Sequence, residues 1–407
     1  MAASLAEPDL GAGSSQSPLL RAAIAALIAF GLLAGVWALS AGPGGSKLAL
    51  SLAFGGLFGF ALQRSRFCFA CHWRDLLDKR DPRGVLAIIL SLAVGIAGTT
   101  VVIGAWLPDP SGTRLPPDAH IGPVSWVLVA AGLAFGAGMA ISGSCISAHL
   151  YRLGEGSPTA PFALLGTAIG FAVGFWSWNP LYLATLSDAP VVWLPRHLGY
   201  GGALLLGLAI LAGLALLLLA RRPTDVARPP VPAPDPLRAV FVERWPAWTG
   251  GLAIGALATM AYLRIGPLGV TAEIGSRTRQ AAAALELLPQ RLEGLDTFRG
   301  CATAVRDALL TPNGLFVAGL VLASLAGALA AGQFRPELPR AGHVVRGIVG
   351  GVLLGWGAMV GLGCSIGTLL SGISAGALSG WVFAVAMFAG ASVTTALGRR
   401  ARLLPGP

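Results

Sequence analysis

The sequence predicts an all-α, polytopic membrane protein of about nine or ten transmembrane helices. Two inverted-topology repeats are expected, with short re-entrant helices beside the cysteine motifs. Three observations lead there. The 407 residues are 55% hydrophobic and 11% charged, with a mean hydropathy of +0.73, whereas about a quarter of the residues in a soluble domain are charged. The apolar residues fall in runs near the ~20 residues that cross a bilayer. Finally, one glycine-dotted motif occurs twice. Gly136, Gly138 and Met139 precede Cys145, and Gly355, Gly357 and Met359 precede Cys364.

In chain order, residues 1–20 are rich in Ala, Ser and Gly without apolar periodicity and are expected to be a disordered tail. The run from Arg21 to Ala41 ends in a weak small-residue cleavage pattern. It is longer than the apolar core of a signal peptide, so a spanning helix is expected. Leu48–Leu62 looks short for a span. Longer runs follow at 84–107, 123–141, 160–179 and 200–220. Arg221–Pro236 then carries six prolines and reads as a semi-rigid linker. Beyond it lie runs at 247–264, 312–332, 342–361 and 376–397.

Gly55–Gly56–Leu57 parallels Gly250–Gly251–Leu252. Five hydrophobic segments per unit would give the halves opposite orientations, the inverted repeat common among carriers. The expected organisation is a tail (1–20), a first membrane repeat (21–199), a second (200–398, containing the Pro-rich linker 221–240) and a C-terminal tail (399–407).

The net charge of +10 comes largely from arginines in short loops. It reads as an orientation signal rather than a nucleic-acid surface, because no basic stripe with interleaved aromatics occurs. With the N-terminus inside, Arg64, Arg66, Arg74, Lys79, Arg80 and Arg83 lie in the cytoplasm, as do Arg399, Arg400 and Arg402. Both termini are therefore expected to be cytoplasmic. The segment 265–311, with Arg277, Arg279, Arg291, Arg299 and Arg306, would then lie outside; charges in so long a segment count less toward orientation.

Five cysteines are candidates for chemistry: Cys68, Cys71, Cys145, Cys301 and Cys364. Cys68 and Cys71 form a single C-x-x-C with no second pair, which is poor for zinc. Cys301 sits in a polar segment and reads as a residue without a role. Around Cys145 and Cys364 the glycines favour broken helices. A half-helix starting there would turn free N–H groups and a positive dipole end toward the membrane interior, which suits an anion. Gly143, Ser144, Ser147, Gly363 and Ser365 line these breaks, and Ser142 and Thr368 add hydroxyl donors. The same glycines also suit tight helix crossing, so both readings stay open at this level.

Arg152 and Glu155 read as a loop ion pair. Asp75 and Arg74 read as the polar face of a short interfacial helix. No Walker loop, dinucleotide fingerprint, metal-spaced His pair or based nucleophile occurs. No enzyme activity, cofactor or metal is expected.

Over residues 45–398 the chain resembles the YeeE/YedE family of bacterial inner-membrane proteins, which are associated with sulfur-compound uptake and include thiosulfate transporters. The resemblance rests on Gly55–Gly59 followed by Gln63–Arg64–Ser65–Arg66–Phe67–Cys68, on Gly136–Gly156 and on Gly355–Gly372. It implies an hourglass of helices from two inverted halves, with thiosulfate handed inward by three cysteines that match Cys68, Cys145 and Cys364. Cys71 and Cys301 have no assigned counterpart. Where the family often carries GGCASG, this chain has Gly143–Ser144–Cys145–Ile146–Ser147–Ala148, a narrower surround.

The expected function is uptake of thiosulfate, or a related small sulfur anion, across the bacterial inner membrane, with Arg66 beside the path and no nucleic-acid partner. A separate cytoplasmic sulfur-carrier protein is the expected acceptor. The alternatives are a membrane sulfurtransferase or persulfide carrier, and a transporter of selenium or other sulfur species.

Overall fold

A computed structural model describes residues 17–42, 45–220, 235–289, 291–300, 303, 308 and 310–404. The described chain forms α1 (Pro18–Ser40), α2 (Gly45–Ser65), α3 (Phe69–Lys79), α4 (Arg83–Trp106), α5 (Trp126–Ser142), α6 (Ile146–Gly154) and α7 (Ala160–Leu181). It continues with α8 (Leu194–Ala220), α9 (Pro236–Phe241), α10 (Ala247–Arg264), α11 (Ala272–Ala284), α12 (Pro312–Ala330), α13 (Ala341–Val360) and α14 (Leu378–Arg400). Two π-helical stretches extend α7 (Tyr182–Leu186) and follow α13 (Ser365–Ile373).

Among the described residues nine helical segments are long and apolar enough to cross a membrane, and no strand longer than an isolated bridge occurs. The all-α, multi-pass class expected from hydropathy is what folds. The run that looked short, Leu48–Leu62, is the middle of the 21-residue α2. Capping explains several of the starts. Ser125 accepts from Leu128 N at α5, and Thr311 accepts from Gly314 N at α12 just ahead of Pro312.

Apolar tails offer no hydrophobic drive between helices, so close packing of small residues must hold them together. The glycines supply it in four pairs. Gly55 and Gly59 seat α2 against the backbone of α12 at Phe316 and Leu320, and Gly251 and Gly255 seat α10 against α4 at Ala87 and Ser91. Gly132 and Gly136 seat α5 against α14, while Gly351 and Gly355 seat α13 against Ala163 and Thr167 of α7. Within each pair contacts advance in the same direction, so the partners are parallel. Each pair joins a helix from before residue 200 to one from after it. By contrast α5 and α13 run antiparallel, with Gly138 by Gly350 and Gly357 by Ala131.

Any Cβ at Gly355 would collide with the Thr167 carbonyl oxygen, a backbone atom that cannot swing aside. Gly355→Val is therefore expected to cost about 3 kcal/mol, the upper part of the usual overpacking range. Lower yield of monodisperse protein and earlier thermal unfolding would report it.

Where it is described, the segment 265–311 packs on the helices. Leu268, Val270, Leu292 and Leu295 are buried, α11 packs on α7, and the Trp178 indole N–H donates to Glu293 O (2.9 Å). The interfacial-helix expectation corresponds to α3, which is fixed by Asp75–Lys79 (3.2 Å) and by the two-pronged Asp78–Arg399 pair (2.6 and 2.7 Å). Residues 1–16, linker residues 221–234 and tail residues 405–407 lie outside the described residues, as do Cys301 and Arg306.

Candidate functional site

Three helix breaks share one backbone device. Cys68 caps α3, Cys145 caps α6, and Cys364 opens the π-helical stretch Ser365–Ile373. Two residues before each cysteine the chain takes a left-handed conformation, at Arg66 (φ 53), Gly143 (φ 83) and Leu362 (φ 58). Gly143 does so freely. Arg66 and Leu362 carry a Cβ penalty of about 1–2 kcal/mol each. The surrounding packing must hold these two breaks against that strain.

All three cysteines, with Cys71, are buried in one continuous core. Because α5 and α13 are antiparallel, the break after α5 and the break after α13 lie toward opposite ends of that pair. Cys145 and Cys364 are thus separated in depth.

The break at Cys364 lies toward the end where α2 and α12 begin, with Leu362 against Gly300. A cavity of about 240 Å³ opens there, its lining including Lys47, Asp118, His120, Arg299, Asn313 and Phe316. Burial lowers the basicity of His120 below that of an ordinary imidazole. Its Nδ1–H donates to Gly367 O (2.9 Å) and ties the α4–α5 loop to the stretch after Cys364. Ser365 Oγ is buried with no hydrogen-bond partner. Gly363 leaves room for Thr368, whose Oγ1 would be 2.6 Å from a Cβ there.

Toward the other end, the Cys68 thiol faces both Cys145 and Cys71. The Cys71 amide donates to Cys68 Sγ (3.4 Å), as in a C-x-x-C that opens a helix. Ser147 Oγ lies 3.3 Å from Cys145 Sγ, and the Cys71 thiol points at Gly143 O (3.9 Å). Ser144 uses its hydroxyl on Gly143 O (2.7 Å). Ser142 donates to Gly138 O and Ser144 O and meets His149 Nε2 (3.0 Å).

Glu155 pairs with Arg66 (3.6 Å) and accepts from Gln63 Nε2 (3.1 Å), so the expected Arg152–Glu155 loop pair is replaced by a longer-range one. Arg152 instead donates to Cys71 Sγ (3.1 Å) across 81 residues of sequence. Nothing beside Cys71 in the sequence announces this. The signal present in the chain is an arginine about two helical turns past Cys145, which only the angle of α6 against α3 turns toward a thiol.

The fold and these breaks define a multi-pass helical membrane protein whose helices are interrupted at buried thiols. The family model described as sulphur transport matches residues 64–393. The chain therefore belongs to that family, in agreement with the YeeE/YedE resemblance of its motifs. It is similar to the thiosulfate transporter TsuA of Spirochaeta thermophila, 27% identical over 345 residues covering 82% of this chain and 94% of that one. The Escherichia coli thiosulfate transporter TsuA is 26% identical over 355 residues, covering 85% of this chain and 93% of its own length. The probable transporter YedE of Escherichia coli is 30% identical over 195 residues, 47% of this chain and 45% of its own.

Proposed function

We propose that this chain takes up thiosulfate, or a closely related small sulfur anion, along a path that passes Cys364, Cys145 and Cys68. The observation that carries the proposal is the position of these thiols, each at the first residue of a helical segment begun inside the protein. Such a start presents unpaired N–H groups and a positive dipole end to whatever the thiol contacts. An anion gains there without meeting a fixed full charge, so it can leave again, as conduction through successive sites requires. The thiol adds a polarisable donor matched to a terminal sulfur.

Lys47 and Arg299 outnumber Asp118 in the lining of the cavity reached from the Cys364 break through His120, and would raise the local anion concentration. Ser365 and Ser147 would donate hydroxyl groups, Gly143 and Gly363 keep the backbone close, and Ser144 and Arg66 shape the breaks. The parallel helix pairs and the antiparallel α5 and α13 support two inverted halves that meet at the path, with the half-helices re-entrant. Bacterial inner-membrane location, cytoplasmic termini and a separate cytoplasmic sulfur-carrier protein belong to the same proposal.

Uptake of radiolabelled thiosulfate into proteoliposomes, competed with sulfate and selenium analogues, tests it. Saturable uptake that unlabelled thiosulfate suppresses and sulfate does not is the expected result. No flux from monodisperse reconstituted protein would sink the proposal.

One contact favours a second reading, a persulfide carrier. The Arg152 guanidinium on Cys71 Sγ is the kind of cation that covalent sulfur chemistry needs beside a thiolate. There the Cys71 thiolate attacks the sulfane sulfur, the S–S bond of thiosulfate breaks, and sulfite leaves with the bonding pair. Intact-mass measurement after thiosulfate exposure separates the two, since only this step adds a sulfur atom to the protein.

A further inference from the structure

Beyond the thiols lies a set of polar groups that the relay leaves unused. Arg152 Nε and Arg66 Nε are enclosed and have no hydrogen-bond partner, and the enclosed Tyr151 hydroxyl has only the Arg152 guanidinium beside it, so its proton has no acceptor. Two of the three can only donate, and the hydroxyl can donate. Enclosed donors without acceptors are costly, and few survive in folded proteins without a purpose. They are also close together. Tyr151 lies within electrostatic reach of Arg152, Cys68, Cys71 and Glu155, and Arg244 within reach of Arg66, Glu155 and Tyr151. Glu155, the carboxylate of this region, pairs with Arg66 at 3.6 Å and also attracts Arg244, while Arg152 is turned to the Cys71 thiol instead. Arg64 does not join them, because its guanidinium is saturated by oxygens of Gln63, Gln333, Phe241 and Val242.

We infer that Arg152, Tyr151 and Arg66, with the Cys71 thiol, form an anion-binding station on the far side of Cys68. It takes a small dianion with an oxyanion group at one end and a soft sulfur at the other. The oxygens accept from Arg152 Nε, Arg66 Nε and the Tyr151 hydroxyl, and the terminal sulfur rests against Cys71. The 3.1 Å contact between Arg152 Nη2 and Cys71 Sγ sets the hard and soft contacts side by side. Excess positive charge pulls the anion off the thiols, and Arg66, 36% exposed, connects the station to solvent. The inference rests on the proposed thiol path for the anion's route, but the station itself can be tested without transport.

The experiment pairs equilibrium binding of radiolabelled thiosulfate to purified full-length protein with uptake into proteoliposomes. Tyr151→Phe removes one oxygen and no packing. It is expected to weaken binding and raise the uptake KM about tenfold, the lower end of the worth of one hydrogen bond to an anion. Arg152→Gln should weaken binding about tenfold or more, and Arg152→Lys should recover part of it, since the charge stays while the fork is lost. Cys145→Ala should retain binding that remains sensitive to Tyr151→Phe.

Wild-type affinity and KM in both Tyr151→Phe and Arg152→Lys would overturn the station. If Arg152→Gln fails to fold, Tyr151→Phe and Arg152→Lys decide the matter. Normal uptake by Cys145→Ala together with weakened binding by Tyr151→Phe would instead reject the thiol path and keep the station.

Discussion

Cys145→Ala is expected to reduce thiosulfate uptake to the background of empty liposomes while leaving the protein as abundant and as monodisperse as wild type. The side chain is fully buried, it caps α6, and its thiol faces Cys68 and Ser147. Alanine removes one sulfur atom from a short side chain, so the packing cost is small compared with the larger core truncations. On the proposed path of successive weak sites, losing the thiol costs far more, because an anion passing between Cys364 and Cys68 would lose one of its three sulfur contacts. Cys145→Ser separates size from chemistry, since its hydroxyl fills the space but is less polarisable. Uptake in Cys145→Ala at the wild-type rate would remove the thiol path from consideration.

The largest effect on folding is expected from Arg64→Met. Arg64 is fully buried at the end of α2. Its Nε donates to Gln63 Oε1 (2.6 Å), Nη1 donates to Phe241 O (3.0 Å) and Val242 O (2.9 Å), and Nη2 donates to Gln333 Oε1 (2.8 Å). Gln63 in turn donates to Glu155 and Gln333. One side chain thus ties α2 to the turn after α9 and to the residues following α12. Methionine fills much of the volume but strands four acceptors in a closed space. Removing one member of a buried charged network costs roughly 3–5 kcal/mol. Thermal unfolding of detergent-purified protein should begin markedly earlier, with proteolysis opening first around residues 236–245. An unchanged transition would mean that water replaces the guanidinium there.

Hydropathy places the helices well. The runs at 84–107, 160–179 and 312–332 are α4 (Arg83–Trp106), α7 (Ala160–Leu181) and α12 (Pro312–Ala330), because burial in lipid is decided by the local sum of side-chain transfer energies; the run at 247–264 is the helix α10 (Ala247–Arg264) but is not among the nine segments apolar enough to span. The restarts at Cys145 and Cys364 are also legible, since glycines and serines weaken a helix wherever they cluster. The break before Cys68 is not legible in the same way. There, as at Leu362, a residue with a Cβ holds the left-handed turn that Gly143 adopts freely, and no local preference predicts it.

The partners of the charged residues are hidden more deeply. Spacing in the chain suggests Arg152 with Glu155; the fold gives Glu155 to Arg66 and Arg152 to Cys71. Membrane class, span positions and the cysteine motifs follow from composition and short-range pattern, and are therefore readable from the chain alone. Which cation faces which thiol depends on the docking of α6 against α12 and α7, which carries Arg152 to Cys71 of α3, and only the packed structure could assign it.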